Sequence, residues 1–186
     1  MKRALAFGLA AAALGMSTLA SAQLGRPNYP PQYFTLRAGF LVPLDTNLKA
    51  VSNTFFGVGA DYTFSNAYIN GGETFISLDW LGKTSGGGRF NVFPICINER
   101  FFFGGNNNNN PAAVFNNRVY AFVGLGAFLF DMDPTTWRFG GRGGLGLELG
   151  HSVKAEATLF LSAPTSGVHI HANALGIYLG YNFNGS

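Results

Sequence analysis

The feature that most constrains this chain is a period-two alternation that recurs in segment after segment, with the charges opposite the apolar row in the first, second, third, sixth and seventh segments. Over residues 33–42, Phe34, Leu36, Ala38, Phe40 and Val42 share one face, while Thr35, Arg37 and Gly39 share the other. Residues 54–64 set Phe56, Val58, Ala60, Tyr62 and Phe64 against Gly57, Gly59, Asp61 and Thr63. Residues 73–81 set Thr74, Ile76, Leu78 and Trp80 against Ser77 and Asp79, with Phe75 out of pattern. This is the periodicity of a β-strand whose two faces meet different surroundings.

The alternation continues to the end of the chain. In residues 89–103 it is least clear. Pro94 interrupts it and predicts a bulge or an unpaired position; Ile95, Ile97, Phe101 and Phe103 then share the apolar face, opposite Asn98 and Arg100. Residues 117–130 oppose Val119, Ala121, Val123, Leu125, Ala127 and Leu129 to Arg118, Tyr120, Phe122, Gly124, Gly126 and Phe128. Residues 137–149 oppose Phe139, Leu145, Leu147 and Leu149 to Arg138, Arg142 and Glu148. Residues 153–161 oppose Val153, Ala155, Ala157, Leu159 and Leu161 to Lys154, Glu156 and Thr158, and residues 172–183 place Leu175, Ile177, Leu179, Tyr181 and Phe183 on the apolar face.

Composition decides which side is out. Charged residues are 11% of the chain and aromatics 15%, with 26 glycines, against about 25% charged residues in ordinary soluble domains. A soluble ligand-binding barrel would carry its charges outside, and these are too few to cover an exterior. No apolar run beyond the N-terminal segment is long enough for a membrane-spanning helix. The expected fold is therefore all-β: a closed, antiparallel, up-and-down transmembrane β-barrel of about eight strands over residues 33–183, which satisfies every backbone group between strands. Glycines on the charged face, notably Gly57, Gly59, Gly124, Gly126, Gly140, Gly144 and Gly146, make room for larger side chains in a lumen this narrow.

The first 22 residues have another role. Lys2 and Arg3 precede an apolar stretch from Ala4 to Gly15 that ends in Ala20-Ser21-Ala22, the pattern of a secretory signal peptide cut before Gln23. Residues 23–32, with Pro27, Pro30 and Pro31, read as a flexible leader. Loss of Lys2 and Arg3 takes the 12 basic residues to 10 against 9 acidic ones, a balance that gives no reason to expect nucleic-acid binding. Cys96 is the one cysteine, so an exported chain has no internal disulfide.

The inward charges are Arg37, Asp61, Asp79, Arg100, Arg138, Arg142, Glu148, Lys154 and Glu156. Charges in a confined lumen must be paired or hydrated. The reading preferred here is an interior ion-pair network that plugs and stiffens the barrel; a gate or narrow ion path is the alternative. No catalytic residue, metal site or cofactor is expected: His169 and His171 have no carboxylate or cysteine nearby in sequence. Trp80, Trp137, Tyr33, Tyr62, Tyr181 and Phe183 lie near strand ends, where they would form aromatic girdles. The Asn106–Asn110 run reads as a solvated low-complexity loop.

Three segments carry a family resemblance: Val119–Phe130 with Gly124 and Gly126, Phe139–Gly150 ending Gly-Leu-Glu-Leu-Gly, and Gly176-Ile-Tyr-Leu-Gly-Tyr-Asn-Phe183. On these the chain resembles the OmpA/OmpX-like small outer-membrane β-barrels. In the last segment Gly176, Leu179, Tyr181 and Phe183 look like the terminal assembly signal of such barrels. It departs from the pattern at Ala174, where a polar residue is usual, and in Asn184-Gly185-Ser186, which extend past the final aromatic. The resemblance implies outer-membrane localisation, with membrane lipids and the barrel-assembly machinery as partners and a monomeric state. Its members include anchors, adhesins, small pores and a few lipid-modifying enzymes, so fold does not fix function. The function expected is non-enzymatic, structural or surface-interacting, with a polar plugged interior. A passive channel for polar or amphipathic solutes is the alternative, and a lipid-modifying enzyme a more distant one. The lipid-A deacylase barrels use a His and a Ser spaced along one strand, whereas His151 and Ser152 here are neighbours in a turn.

Overall fold

A computed structural model describes residues 33–64, 72–84, 89–103, 118–149, 152–167 and 169–184. The signal peptide, the leader, the Asn106–Asn110 run and His151 lie outside these residues. The strands are β1 (Tyr33–Pro43), β2 (Phe55–Thr63), β3 (Gly72–Lys83), β4 (Asn91–Phe103), β5 (Arg118–Asp131), β6 (Thr136–Leu149), β7 (Val153–Ser162) and β8 (Ala174–Asn184). Each pairs antiparallel with the next, and β8 pairs with β1, so the sheet closes into an eight-stranded up-and-down barrel. Closure leaves no edge strand. Tyr33 and Asn184 mark one end, called the N-terminal end below; the turns after β1, β3, β5 and β7 lie at the far end.

Registers are uninterrupted around the ring. At Pro94 the β3–β4 pairing lapses between Leu78↔Ile95 and Leu81↔Val92, yet the register on either side is the same. Pro94 therefore leaves an unpaired position, as a residue without an N–H must, and inserts no bulge.

The outward rows are predominantly apolar on every strand. Leu125, Phe139 and Ile177 are 62%, 67% and 69% exposed, and Leu36, Val58, Ile97, Leu145 and Leu179 join them. The inward rows differ along the axis. At the far end Leu41, Phe55, Leu81, Phe90, Val92, Phe128, Phe130 and Phe160 pack as one buried apolar cluster. The middle carries charge, and nearer the N-terminal end Phe75, Tyr120 and Phe122 pack together. A polar, plugged interior was expected; the far third is instead a hydrophobic core, in which Leu41, Leu81 and Phe130 take inward positions alongside Phe128, the aromatic that alternation already placed there. Phe75, out of pattern in the sequence, is likewise an inward, fully buried aromatic.

One element is absent from the sequence reading. The β1–β2 connection contains a short helix, α1 (Thr46–Val51), capped by Asp45, whose side chain accepts from the Leu48 N–H at 2.9 Å. Helices this short draw their stability from packing rather than propensity, and α1 packs through Leu48, which is buried in the far-end apolar cluster.

Candidate functional site

The middle of the lumen is a closed charge cluster. Arg37 (β1), Asp61 (β2), Asp79 (β3), Arg142 (β6), and Lys154 and Glu156 (β7) supply three cations and three carboxylates, with side chains at most 1% exposed. Arg37 Nη2 donates to Asp79 Oδ1 and Oδ2 at 2.6 and 2.8 Å and lies 3.2 Å from Asp61 Oδ1, while its Nη1 is 3.3 Å from Glu156 Oε2. Arg142 Nη1 donates to Asp79 Oδ2 at 2.9 Å from the other side of the lumen. Lys154 Nζ bridges Asp61 Oδ2 at 3.0 Å and Glu156 Oε1 at 3.2 Å. The formal charges cancel, which is the condition under which burial of six ions is tolerable.

Glycine positions explain how side chains two strands apart meet. Arg37 on β1 is in register with Gly59 on β2, which is in register with Asp79 on β3. A Cβ on Gly59 would lie 2.3 Å from Asp79 Oδ1 and 2.8 Å from Arg37 Nε. The same device recurs. Asn98 and Arg142 flank Gly124, over which Arg142 Nε donates to Asn98 Oδ1 at 2.9 Å. Tyr120 and Glu156 flank Gly146, over which the Tyr120 hydroxyl donates to Glu156 Oε1 at 2.7 Å. Lys154 and Arg37 flank Gly180. In each case the inward row reads long polar, glycine, long polar across three neighbouring strands; at Gly59, Gly124 and Gly146 the missing side chain is the space in which the outer two bond, and at Gly180 it takes the aliphatic stems of two cations that pair with carboxylates elsewhere.

Below this level, towards the N-terminal end, Arg100 lies against aromatic faces. Its guanidinium carbon is 4.6 Å from the Phe75 ring centroid and 4.7 Å from that of Tyr120, a geometry in which ring quadrupoles offset part of the lost hydration. Its Nη1 donates to the Tyr33 hydroxyl at 2.5 Å, and Tyr33 donates to Glu73 Oε2 at 2.6 Å.

The inward charges named from the sequence separate into four groups, of which Arg100 among its aromatic neighbours is one. Arg37, Asp61, Asp79, Arg142, Lys154 and Glu156 come together. Glu148 is buried on β6 near the N-terminal end of the barrel. Arg138 stands apart from the cluster: it has the inward parity, but it lies at the far rim, where it donates to the carbonyls of Pro164 and Trp137 and to Ser166 Oγ. Strand β6 outruns β7 there, its pairing beginning at Gly140↔Ser162, so Arg138 has no lumen to point into. Tyr33, expected in a girdle, is turned inward beneath Arg100. Tyr62, Trp80, Trp137, Tyr181 and Phe183 do lie on the outer face, with Phe40, Phe56 and Trp80 in edge contacts at the far end and Phe34, Tyr181 and Phe183 in contact at the other. Of the C-terminal residues, Leu179, Tyr181 and Phe183 face outward, while Gly176 faces inward against Leu41 and Tyr178. Asn98 and Tyr120, themselves uncharged, complete the cluster through hydrogen bonds to its ions, Asn98 accepting from Arg142 and Tyr120 donating to Glu156; their position beside Gly124 and Gly146 was the signal for them. His171 Nδ1 lies 2.9 Å from the Ser162 carbonyl oxygen, and among the described residues no three metal-binding side chains converge.

Fold and cluster together define a small closed β-barrel whose lumen is occupied by its own side chains. Compared with known proteins, the sequence matches no family model and no curated protein.

Proposed function

We propose that the chain is an integral outer-membrane barrel that acts without catalysis, as a structural or surface-interacting protein whose interior is closed to solutes. The observation that carries this reading is the outer wall. Along all eight strands the outward positions are apolar or glycine, except Thr74 and Glu99, which hydrogen-bond to each other at 2.6 Å, and Asn91 and Asp131 at the far rim. On β5 the apolar row runs from Val119 to Leu129. At about 3.3 Å per residue and a tilt of about 40° it spans roughly 25 Å, the height of a lipid-facing band. The charges that a water-facing wall would display are spent on one another in the lumen.

In this reading the partners are membrane lipids and, through the outward aromatics that close β8, the assembly machinery; the protein works as a monomer. The signal-peptide pattern of residues 1–22 supports the outer membrane as its place. The test is refolding from urea into phospholipid vesicles followed by planar-bilayer recording. Folding that requires lipid, with no single-channel currents, is expected. Folding in lipid with steady open currents would replace the closed-barrel reading by the channel; folding in plain buffer would remove the membrane reading altogether.

A further inference from the structure

Within the charge cluster, Lys154 and Asp61 are placed as reactants as well as ions. Lys154 Nζ lies 3.0 Å from Asp61 Oδ2, one bond short of the carboxyl carbon, and both side chains are sealed from solvent. Glu156 Oε1 stands 3.2 Å from the same Nζ and is held there by the Tyr120 hydroxyl at 2.7 Å. Asp61 Oδ1 has no hydrogen-bond partner among the described residues, yet it lies 3.2 Å from Arg37 Nη2 and 3.6 Å from Arg142 Nη2, and that Arg142 nitrogen has none either. Gly180 fixes the lysine stem: a Cβ there would fall 3.0 Å from Lys154 Cγ and Cε. A nucleophile, a proton carrier and donors facing a developing oxyanion, all held at contact distance, are the parts from which acyl transfer is built.

We propose that Lys154 and Asp61 condense within the folded barrel to an isopeptide bond, a covalent staple across the lumen between β7 and β2, which stand three strands apart around the ring. One proton of the Lys154 ammonium passes to Asp61 Oδ2, giving an amine and a carboxylic acid. The exchange is internal to the pair, draws no proton from water and removes two buried charges. The amine then attacks Cγ and forms the Nζ–Cγ bond, while negative charge grows on Oδ1 between the two guanidiniums. A second proton moves from Nζ to Glu156 and on to Oδ2, the Cγ–Oδ2 bond breaks, and one water leaves. The third proton stays as the amide N–H. A cation and an anion vanish together, so Arg37 and Arg142 remain balanced by Asp79 and Glu156. The cluster then buries four ions instead of six, which lowers its desolvation cost. Hydrolysis would need water to re-enter a site whose three side chains are at most 1% exposed.

The experiment is mass spectrometry on the full chain, first unfolded in urea and then after folding into vesicles or detergent. The folded chain is expected to be lighter than the unfolded one by one water, about 18 Da. Trypsin acting on the denatured product should no longer cut after Lys154, and peptides 50–83 and 143–186 should appear as one linked species. Lys154→Arg keeps the cation but has no amine to acylate, and should fold at full mass. Glu156→Gln should fold and form the bond roughly a hundredfold more slowly. A folded parent chain of unchanged mass, still cut after Lys154, would overturn the proposal. The same loss of water in Lys154→Arg would also overturn it, and bond formation by Glu156→Gln at the parent rate would remove Glu156 as the proton carrier. The bond needs a closed barrel but not a membrane, so its failure is separable from failure of the membrane reading.

Discussion

The middle and the far end of the lumen enclose the same width of barrel and fill it in opposite ways. In the middle, four glycines each stand between two long polar side chains on flanking strands, and at Gly59, Gly124 and Gly146 the space they leave is occupied by an ion pair or hydrogen bonds. At the far end the inward positions are Leu and Phe, and Gly140 stands where a Cβ would fall 2.5 Å from the Phe128 ring. The difference teaches that a narrow barrel can be filled by either chemistry provided glycine supplies the room. What distinguishes the two regions is how each fails: the apolar region loses packing gradually, while the charged region depends on every partner being present.

The largest effect is expected in the charged region. Asp79→Ala leaves two guanidiniums without their shared acceptor and should destabilise the folded barrel by about 3–5 kcal/mol, read from the urea midpoint of unfolding in vesicles. Phe160→Ala at the far end removes a fully buried ring and should also cost about 3–5 kcal/mol. Only Asp79→Ala, however, should be relieved by a second substitution that removes a cation, such as Arg142→Met. If both variants respond alike to that second change, the two regions do not differ in kind.

The outer wall gives the next effect. Leu125→Arg, at a strongly exposed site in the middle of β5, should cost about 2–4 kcal/mol in a bilayer and nearly nothing if water lies outside. Smaller is the contrast between two glycines. Gly59→Ala forces a methyl into Asp79 and Arg37 and should cost about 1–3 kcal/mol. Gly143→Ala, on the outer face with its nearest neighbour the Phe122 carbonyl oxygen at 3.2 Å, should cost under about 1 kcal/mol. The smallest is Arg138→Ala, expected to shift stability by less than about 1 kcal/mol as a rim side chain, although it lies four positions from Arg142 on the same strand.

Most of the barrel is legible in the sequence because alternation reports which face a residue belongs to. The eight strands fall within a residue or two of the segments that alternation marks, and the outward rows match it throughout. Alternation is silent on two matters. It does not say how far along the axis a residue lies, so Arg138 and Arg142 look alike although one is at the rim and one in the cluster, and Tyr33 reads as a girdle residue although it is hydrogen-bonded inside. Nor does it say what stands across the lumen: Arg142 meets Asp79 three strands away, and no local pattern in β6 announces that. The α1 helix is too short to show a period, and its one visible sign is Asp45. The glycines flanked by long polar residues were the readable trace of the cluster, once registers are known.

The central claim is that the apolar wall touches acyl chains while the ionised side chains are sealed within. The chain has two tryptophans, Trp80 and Trp137, both on the outer face, Trp137 being 53% exposed. The direct measurement is their fluorescence after refolding into vesicles of lipid brominated on the acyl chains. Strong quenching relative to unbrominated vesicles, gained only as the barrel folds, is the predicted result. A folded barrel with unquenched, water-like emission would contradict it.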